Sequence, residues 1–286
     1  AGRVSRGQIP IESILQAIMI LEILGYIGAL LMGISLGAIG GGGSIFSVPI
    51  LVYLFGVNPV IATGYSLFVV GTTSLSGSLS HIRRGNINWK AVFFFGIPSI
   101  TSVFITRTLI VPNIPNPVFA GTVFEVMKPK FFLLIFAFFM LAAAFAMTRR
   151  KKVQKSDNVD TNFLKLTTAG FLEGVLTGLV GAGGGFLIIP ILVLIGKVEM
   201  KKAIGSSLVI IAVKSLMGFT GDLHNNVNIE WKLLIPFTVI AIGGIIMGSS
   251  IANKMPNEKL KPLFGYFILI MALIILGKEL LLKFFI

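Results

Sequence analysis

Two runs of small residues carry the chemistry that a backbone alone can do. Gly40-Gly41-Gly42-Gly43-Ser44 is followed by Phe46, Pro49, Ile50 and Leu51, and Gly181-Ala182-Gly183-Gly184-Gly185 by Leu187, Pro190, Ile191 and Leu192. A helix that starts just after such an interruption points unpaired amides and the positive end of its dipole at the gap, which suits an anion. Gly42, Gly43, Gly183, Gly184 and Gly185 are therefore expected to offer N–H groups, and Ser44, at the first N-cap, a hydroxyl. Small residues also let membrane helices pack closely. Four in succession in both copies, each before a short Pro-bearing helix, exceed what packing needs.

Other polar groups stand nearby. Thr63-Gly64-Tyr65-Ser66 and Ile204-Gly205-Ser206-Ser207 each open the next apolar segment. The hydroxyls of Ser66, Ser206 and Ser207 are candidates for hydrogen bonds to an oxyanion, with helix capping and inter-helix bonding as the alternative. Lys214 lies deep within an apolar segment, where a lysine needs a partner or a task; it is expected to supply positive charge to the anion. Glu173 is a candidate proton carrier. Glu22 is expected in an exposed extension of its helix, and Arg83, Arg84 and Arg107 at helix ends.

Several chemistries find no support. Neither glycine run ends in the Gly-Lys-Ser/Thr of a nucleotide-binding loop. Cysteine is absent, and the only histidines, His81 and His224, suggest no joint metal site. No catalytic triad spacing occurs. The expectation is a non-enzyme without cofactor or metal ion.

The elements that must position these groups come twice. Pro190 lies 141 positions after Pro49, and the same offset carries Ala62, Gly64, Ser66 and Leu67 onto Ala203, Gly205, Ser207 and Leu208. Asn86-Ile87-Asn88-Trp89-Lys90 recurs, one position further out of register, as Asn228-Ile229-Glu230-Trp231-Lys232. A glycine-interrupted segment in matching positions of two halves points to a transport site. Composition agrees: the chain is 55% hydrophobic and 12% charged, about half the charge of a soluble domain. Its net charge of +13 sits in short loops between apolar segments, most densely in Arg149-Arg150-Lys151-Lys152-Val153-Gln154-Lys155. That is a cytoplasmic-loop pattern facing anionic lipid, and nucleic acid is rejected as a partner.

The apolar segments predict helices over Ile11–Ile39, Ile45–Phe55, Val60–Ile82, Trp89–Leu109, Phe131–Met147, Phe163–Val180, Phe186–Ile195, Ala203–Asp222, Trp231–Ala252 and Leu260–Phe285. The expected fold is an all-α polytopic membrane protein of two repeats, 11–148 and 163–286, joined by a cytoplasmic linker, 149–162. Each repeat has five helical segments, a glycine-broken hairpin plus three spans. The ten-residue segment Phe186–Ile195 reaches only about 15 Å as a helix, half of the bilayer core. A hairpin that enters and leaves on one side makes each half an odd number of crossings and inverts the second half. Lys197, Lys201, Lys202, Lys254, Lys259 and Lys261 fall on the cytoplasmic side only under inversion, whereas Lys232, Lys278 and Lys283 do so only for parallel halves.

The paired motif resembles the TauE/SafE sulfite-exporter family of membrane permeases. The similarity lies in the two Gly-rich breaks with their Pro-Ile-Leu helices, in Ala62-Thr63-Gly64-Tyr65-Ser66 and Ala203-Ile204-Gly205-Ser206-Ser207, and in His81-Ile82-Arg83-Arg84-Gly85-Asn86-Ile87-Asn88-Trp89. The resemblance implies a permease that moves a small sulfur-containing anion, such as sulfite, thiosulfate or an organosulfonate, across the inner cell membrane without ATP. The expected function is secondary transport by alternating access, with a coupling proton and a homodimer left open. An anion channel and a non-transporting scaffold are the alternatives.

Overall fold

The computed structural model of the protein describes residues 11–41, 43–110, 163–180, 185–223 and 229–256, with single positions between 113 and 148 and between 259 and 277. All regular elements among the described residues are helical. They are α1 (Ile11–Ile39), α2 (Ser44–Tyr53), α3 (Pro59–Arg83), α4 (Trp89–Ile110), α5 (Phe163–Val180), α6 (Gly185–Leu194), α7 (Met200–Leu223) and α8 (Trp231–Lys254). The first eight predicted segments other than Phe131–Met147, together with Trp231–Ala252, agree with these bounds to within three residues. Phe131–Met147 and Leu260–Phe285 lie largely outside the described residues, and the linker 149–162 wholly so. The loop over 111–129 is described at one position only, and His224 lies outside as well.

Met19–Ile39, Trp89–Ile110, Met200–Thr220 and Trp231–Ala252 are long and apolar enough to cross a bilayer. Their outward faces carry large apolar groups such as Phe104, Val239 and Ile246, and solvent-exposed surfaces of that kind belong in lipid. The chain is a multi-pass membrane protein. By contrast α2 and α6 have 10 residues each, with Pro49 and Pro190 inside them. At 1.5 Å per residue each reaches about 15 Å, too short to span.

Three helix pairings organise the core. α1 packs along α8, α5 along α4, and α3 against α7. The first two depend on glycine. A Cβ on Gly33 would meet the Ala241 carbonyl oxygen, and one on Gly37 that of Ile245; Gly244 and Gly248 stand likewise against Leu30 and Ile34. On the other side Gly170, Gly174 and Gly178 of α5 lie against Phe95, Ser99 and Thr106 of α4. Residue numbers rise together in both pairs, so each runs parallel. Lipid gives little hydrophobic drive between helices, and glycines spaced by four let backbones approach closely enough for packing to hold them. α4 is wound as a π-helix at Val92–Gly96 and Thr106–Ile110, where its carbonyl ladder opens beside α5.

α3 and α7 run antiparallel: Leu67 lies against Gly218, Gly71 against Leu216, and Gly77 against Leu208. Two further bonds cross between the helices and the turns that follow them. The Asn88 amide donates to Ser206 Oγ at 2.9 Å, and the Glu230 amide to Tyr65 Oη at 2.6 Å. Asn88 also N-caps α4 through its side chain, which accepts from the Ala91 amide at 3.1 Å.

The glycine dependence gives a direct expectation. Gly248→Leu should force α8 off the Ile34 carbonyl and lower the thermal midpoint sharply, by the equivalent of about 3 kcal/mol or more for overpacking. Gly243→Leu on the same helix, with nothing within 4 Å, should leave the midpoint within a degree or two. Differential scanning fluorimetry in detergent reads both.

Candidate functional site

α1 ends where its chain turns left-handed. The Gly40 amide closes the helix on the Leu36 carbonyl at 2.8 Å, and Gly40 and Gly41 then take φ of 72° and 39°, conformations that glycine adopts without steric cost. α2 restarts at Ser44, with Gly43 rather than Ser44 at the N-cap. The Ser44 hydroxyl turns inward and donates to the Gly41 carbonyl at 2.7 Å. Gly42 lies outside the described residues, as do Gly181, Ala182, Gly183 and Gly184 of the second run.

The two interruptions touch. A Cβ on Gly41 would fall onto the backbone of Gly185, and one on Gly185 would stand 2.6 Å from the Gly41 Cα and 2.5 Å from Ile211 Cδ1. Gly40 faces α7 in the same way, with Ser207 Oγ 3.1 Å and Ile204 Cα 3.2 Å from its ideal Cβ position. Gly43 is packed against the α1 backbone at Met32 and Leu36. The end of α1, the start of α6 and the first turns of α7 thus meet at one buried place, with no room for a side chain at Gly41 or Gly185.

The hydroxyls around it have definite partners. Ser66 pairs with Ser47 of α2, and Ser47 also donates to the Ser44 carbonyl at 2.7 Å. Ser207 donates to the Ile204 carbonyl at 2.8 Å while standing beside Gly40. Ser206 is directed at the Asn88 amide, where it anchors the turn before α4. Ser44, Ser47, Ser66, Ser206 and Ser207 are all buried.

Lys214 has an ion-pair partner. Its Nζ lies 2.8 Å from Glu173 Oε1 and 3.3 Å from Thr177 Oγ1, and Glu173 Oε2 accepts from Ser99 Oγ at 2.5 Å. Both charged side chains are essentially fully buried. Three helices contribute: α5 gives Glu173 and Thr177, α7 Lys214, and α4 Ser99. The pair stands close to the second interruption along the chain: Thr177 lies three residues before the end of α5 at Val180, and Lys214 follows Ile211, the residue against Gly185, by three positions. Glu22 is exposed on α1, as expected. Among the described residues no group of acidic or histidine side chains could hold a metal ion.

Sequence reasoning singled out Glu173 and Lys214 separately and did not join them. Thr177, four residues after Glu173 on one helix face, was the available signal. Ser47 and Ser99 gave none, because each acts only through a contact distant in the chain. Removing one partner of a buried pair strands a charge, at about 3–5 kcal/mol. Lys214→Met should therefore destabilise the protein strongly, and Lys214→Met with Glu173→Gln should recover most of the loss. Thermal midpoints of the two variants test this.

The sulfite exporter TauE/SafE family profile matches residues 25–275. A probable membrane transporter protein of Xylella fastidiosa strain Temecula1 is 26% identical over 87% of this chain and 92% of its own length. One from Methanocaldococcus jannaschii is 30% identical over 85% of this chain and 87% of its own, and one from Bacillus subtilis 28% over 81% and 90%. No solved structure matches. The profile describes a membrane exporter rather than an enzyme, and with nearly the whole chain matched, the protein belongs to the TauE/SafE sulfite exporter family.

Proposed function

We propose that the protein is a secondary carrier of a small sulfur-containing anion, sulfite or a close relative, in the inner cell membrane. Two inverted halves hold the anion between the glycine interruptions. The contact of Gly41 with Gly185 carries this reading, because it joins two duplicated interruptions that stand far apart in the chain.

Reciprocal contacts support the repeat. At the offset of 141, Leu67 and Gly77 correspond to Leu208 and Gly218, and the contacts are Leu67 with Gly218 and Leu208 with Gly77. Gly33 and Gly174 correspond likewise, and each meets the third long helix of the opposite half, at Ala241 and Ser99. The bond from Asn88 to Ser206 is mirrored by that from Glu230 to Tyr65. Equivalent helices α3 and α7 run antiparallel, as a two-fold axis in the membrane plane requires, which favours inversion over parallel halves.

In the occluded state the interruptions leave no gap at Gly41 and Gly185. Rocking the halves apart frees amides of Gly42, Gly43, Gly183, Gly184 and Gly185, with Ser44, Ser66 and Ser207 adding hydroxyls. Ser206 serves the site indirectly by fixing α4. Lys214 turns to the anion when Glu173 releases it. An anion arriving beside the neutral Lys214–Glu173 pair adds one negative charge, and proton uptake by Glu173 restores neutrality, so one proton travels with each monovalent anion. Charge left uncompensated at this depth is costly.

Reconstituted protein should exchange [35S]sulfite against internal unlabelled sulfite in saturable counterflow, and an inward proton gradient should drive accumulation. Glu173→Gln strands Lys214 and should lower the thermal midpoint without anion, but with Lys214 left to the substrate the reconstituted variant should retain counterflow and lose accumulation by at least tenfold. Flux without counterflow identifies a channel; no flux with any sulfur anion leaves a scaffold.

A further inference from the structure

The seam between α3 and α7 holds hydroxyl donors that the carrier reading has not used. Five serines and threonines of the two helices spend their hydroxyl on a carbonyl one turn back: Thr72 on Phe68, Ser76 on Thr72, Ser78 on Leu75, Ser207 on Ile204 and Thr220 on Met217. Thr73, Ser74 and Ser215 do not: all three are fully buried at 0% exposure with no partner for the hydroxyl, and of these only Ser74 and Ser215 occupy matching positions with the same side chain, since Lys214 stands at the position that matches Thr73. A buried hydroxyl left unsatisfied costs about 1–3 kcal/mol, and such a group calls for an explanation.

Their placement supplies one. Ser215 lies 141 positions after Ser74, the same offset that relates the two halves. Ser74 sits three positions from both Gly71 and Gly77, which touch Leu216 and Leu208, and so shares the α3 face turned to α7. Ser215 follows Ile211 by one turn and precedes Gly218 by three positions, and so shares the α7 face turned to α3. Ile211 is the residue packed on Gly185, and Val70, one turn before Ser74, belongs to the same buried cluster as Ile211 and Ile189. One inner face therefore runs from the interruptions to both hydroxyls.

We propose that Ser74 and Ser215 are paired ligands of the transported oxyanion, each donating to a different oxygen from opposite sides of the seam. This rests on the carrier reading and names two binding residues for it. The donors suit the ligand class: two O–H groups on opposite sides of a seam match a guest that presents acceptor oxygens in more than one direction, such as the –SO3 group shared by sulfite and alkanesulfonates. Ser76, with its hydroxyl already on the Thr72 carbonyl, is the internal control.

The test uses the full chain in proteoliposomes and [35S]sulfite counterflow. Ser74→Ala and Ser215→Ala should each raise KM about tenfold, the worth of one hydrogen bond to a charged group, and the double variant should show no saturation. Ser74→Thr and Ser215→Thr, which keep the donor, should stay within about threefold of wild type, and Ser76→Ala should match it. A double variant with wild-type KM overturns the proposal, as do threonine variants as impaired as the alanines, which would mark a packing role. For any variant that reconstitutes poorly, the sulfite-induced rise in thermal midpoint in detergent decides: loss of the rise supports the proposal, and a full rise refutes it. Wild-type protein that neither exchanges nor is stabilised by sulfite, thiosulfate or an alkanesulfonate removes the carrier reading itself. Wild-type exchange with an indifferent double variant removes only the hydroxyl pair.

Discussion

Backbone meets backbone where Gly41 faces Gly185, and the surrounding architecture is arranged to make that approach. A side chain at either position would occupy the space of the other strand. Non-helical backbone within a bilayer survives only when it is buried in protein or lines a cavity. α1 is held against α8 and α5 against α4, and Gly41 and Gly185 are buried between them. Glycine does that work a second time, because lipid offers little reward for helix association beyond close packing and weak carbonyl contacts. The anchoring bonds from Asn88 to Ser206 and from Glu230 to Tyr65 then fix the turns that bring α4 and α8 back to their partners.

The buried charge is not duplicated in the sequence. Glu173 and Lys214 pair beside the second interruption, with Ser99 and Thr177 completing the carboxylate's hydrogen bonds. At the offset of 141 that separates the two glycine runs' Pro-Ile-Leu motifs, the matching positions are Met32 and Thr73. A buried pair is an expensive way to stabilise a fold, since apolar residues of like volume often do better. Its retention at one break alone fits a task in the transport cycle, where exchanging a carboxylate for a substrate anion changes which charges need each other.

Much of this was legible in the chain before its fold was seen. The duplicated glycine runs, the short Pro-bearing helices and the depth of Lys214 all follow from residue type, spacing and the thickness of a bilayer. The partners were not. Ser44 satisfies the Gly41 carbonyl instead of capping α2, and Ser206 serves the Asn88 turn. Both depend on where a left-handed turn or a neighbouring helix places an acceptor or donor, which spacing along one helix does not encode. Ser74 and Ser215 read as ordinary small residues until the antiparallel crossing of α3 and α7 turned both to the same seam.

The most direct measurement of anion binding between the interruptions is an anomalous diffraction map from crystals grown with selenite, a heavier analogue of sulfite. The account predicts a selenium peak within hydrogen-bonding reach of residues 40–44 and 181–185, on the inner face that leads to α3 and α7. A selenium peak only at the loops or the lipid-facing surface, with Gly41 still against Gly185, would contradict anion binding there.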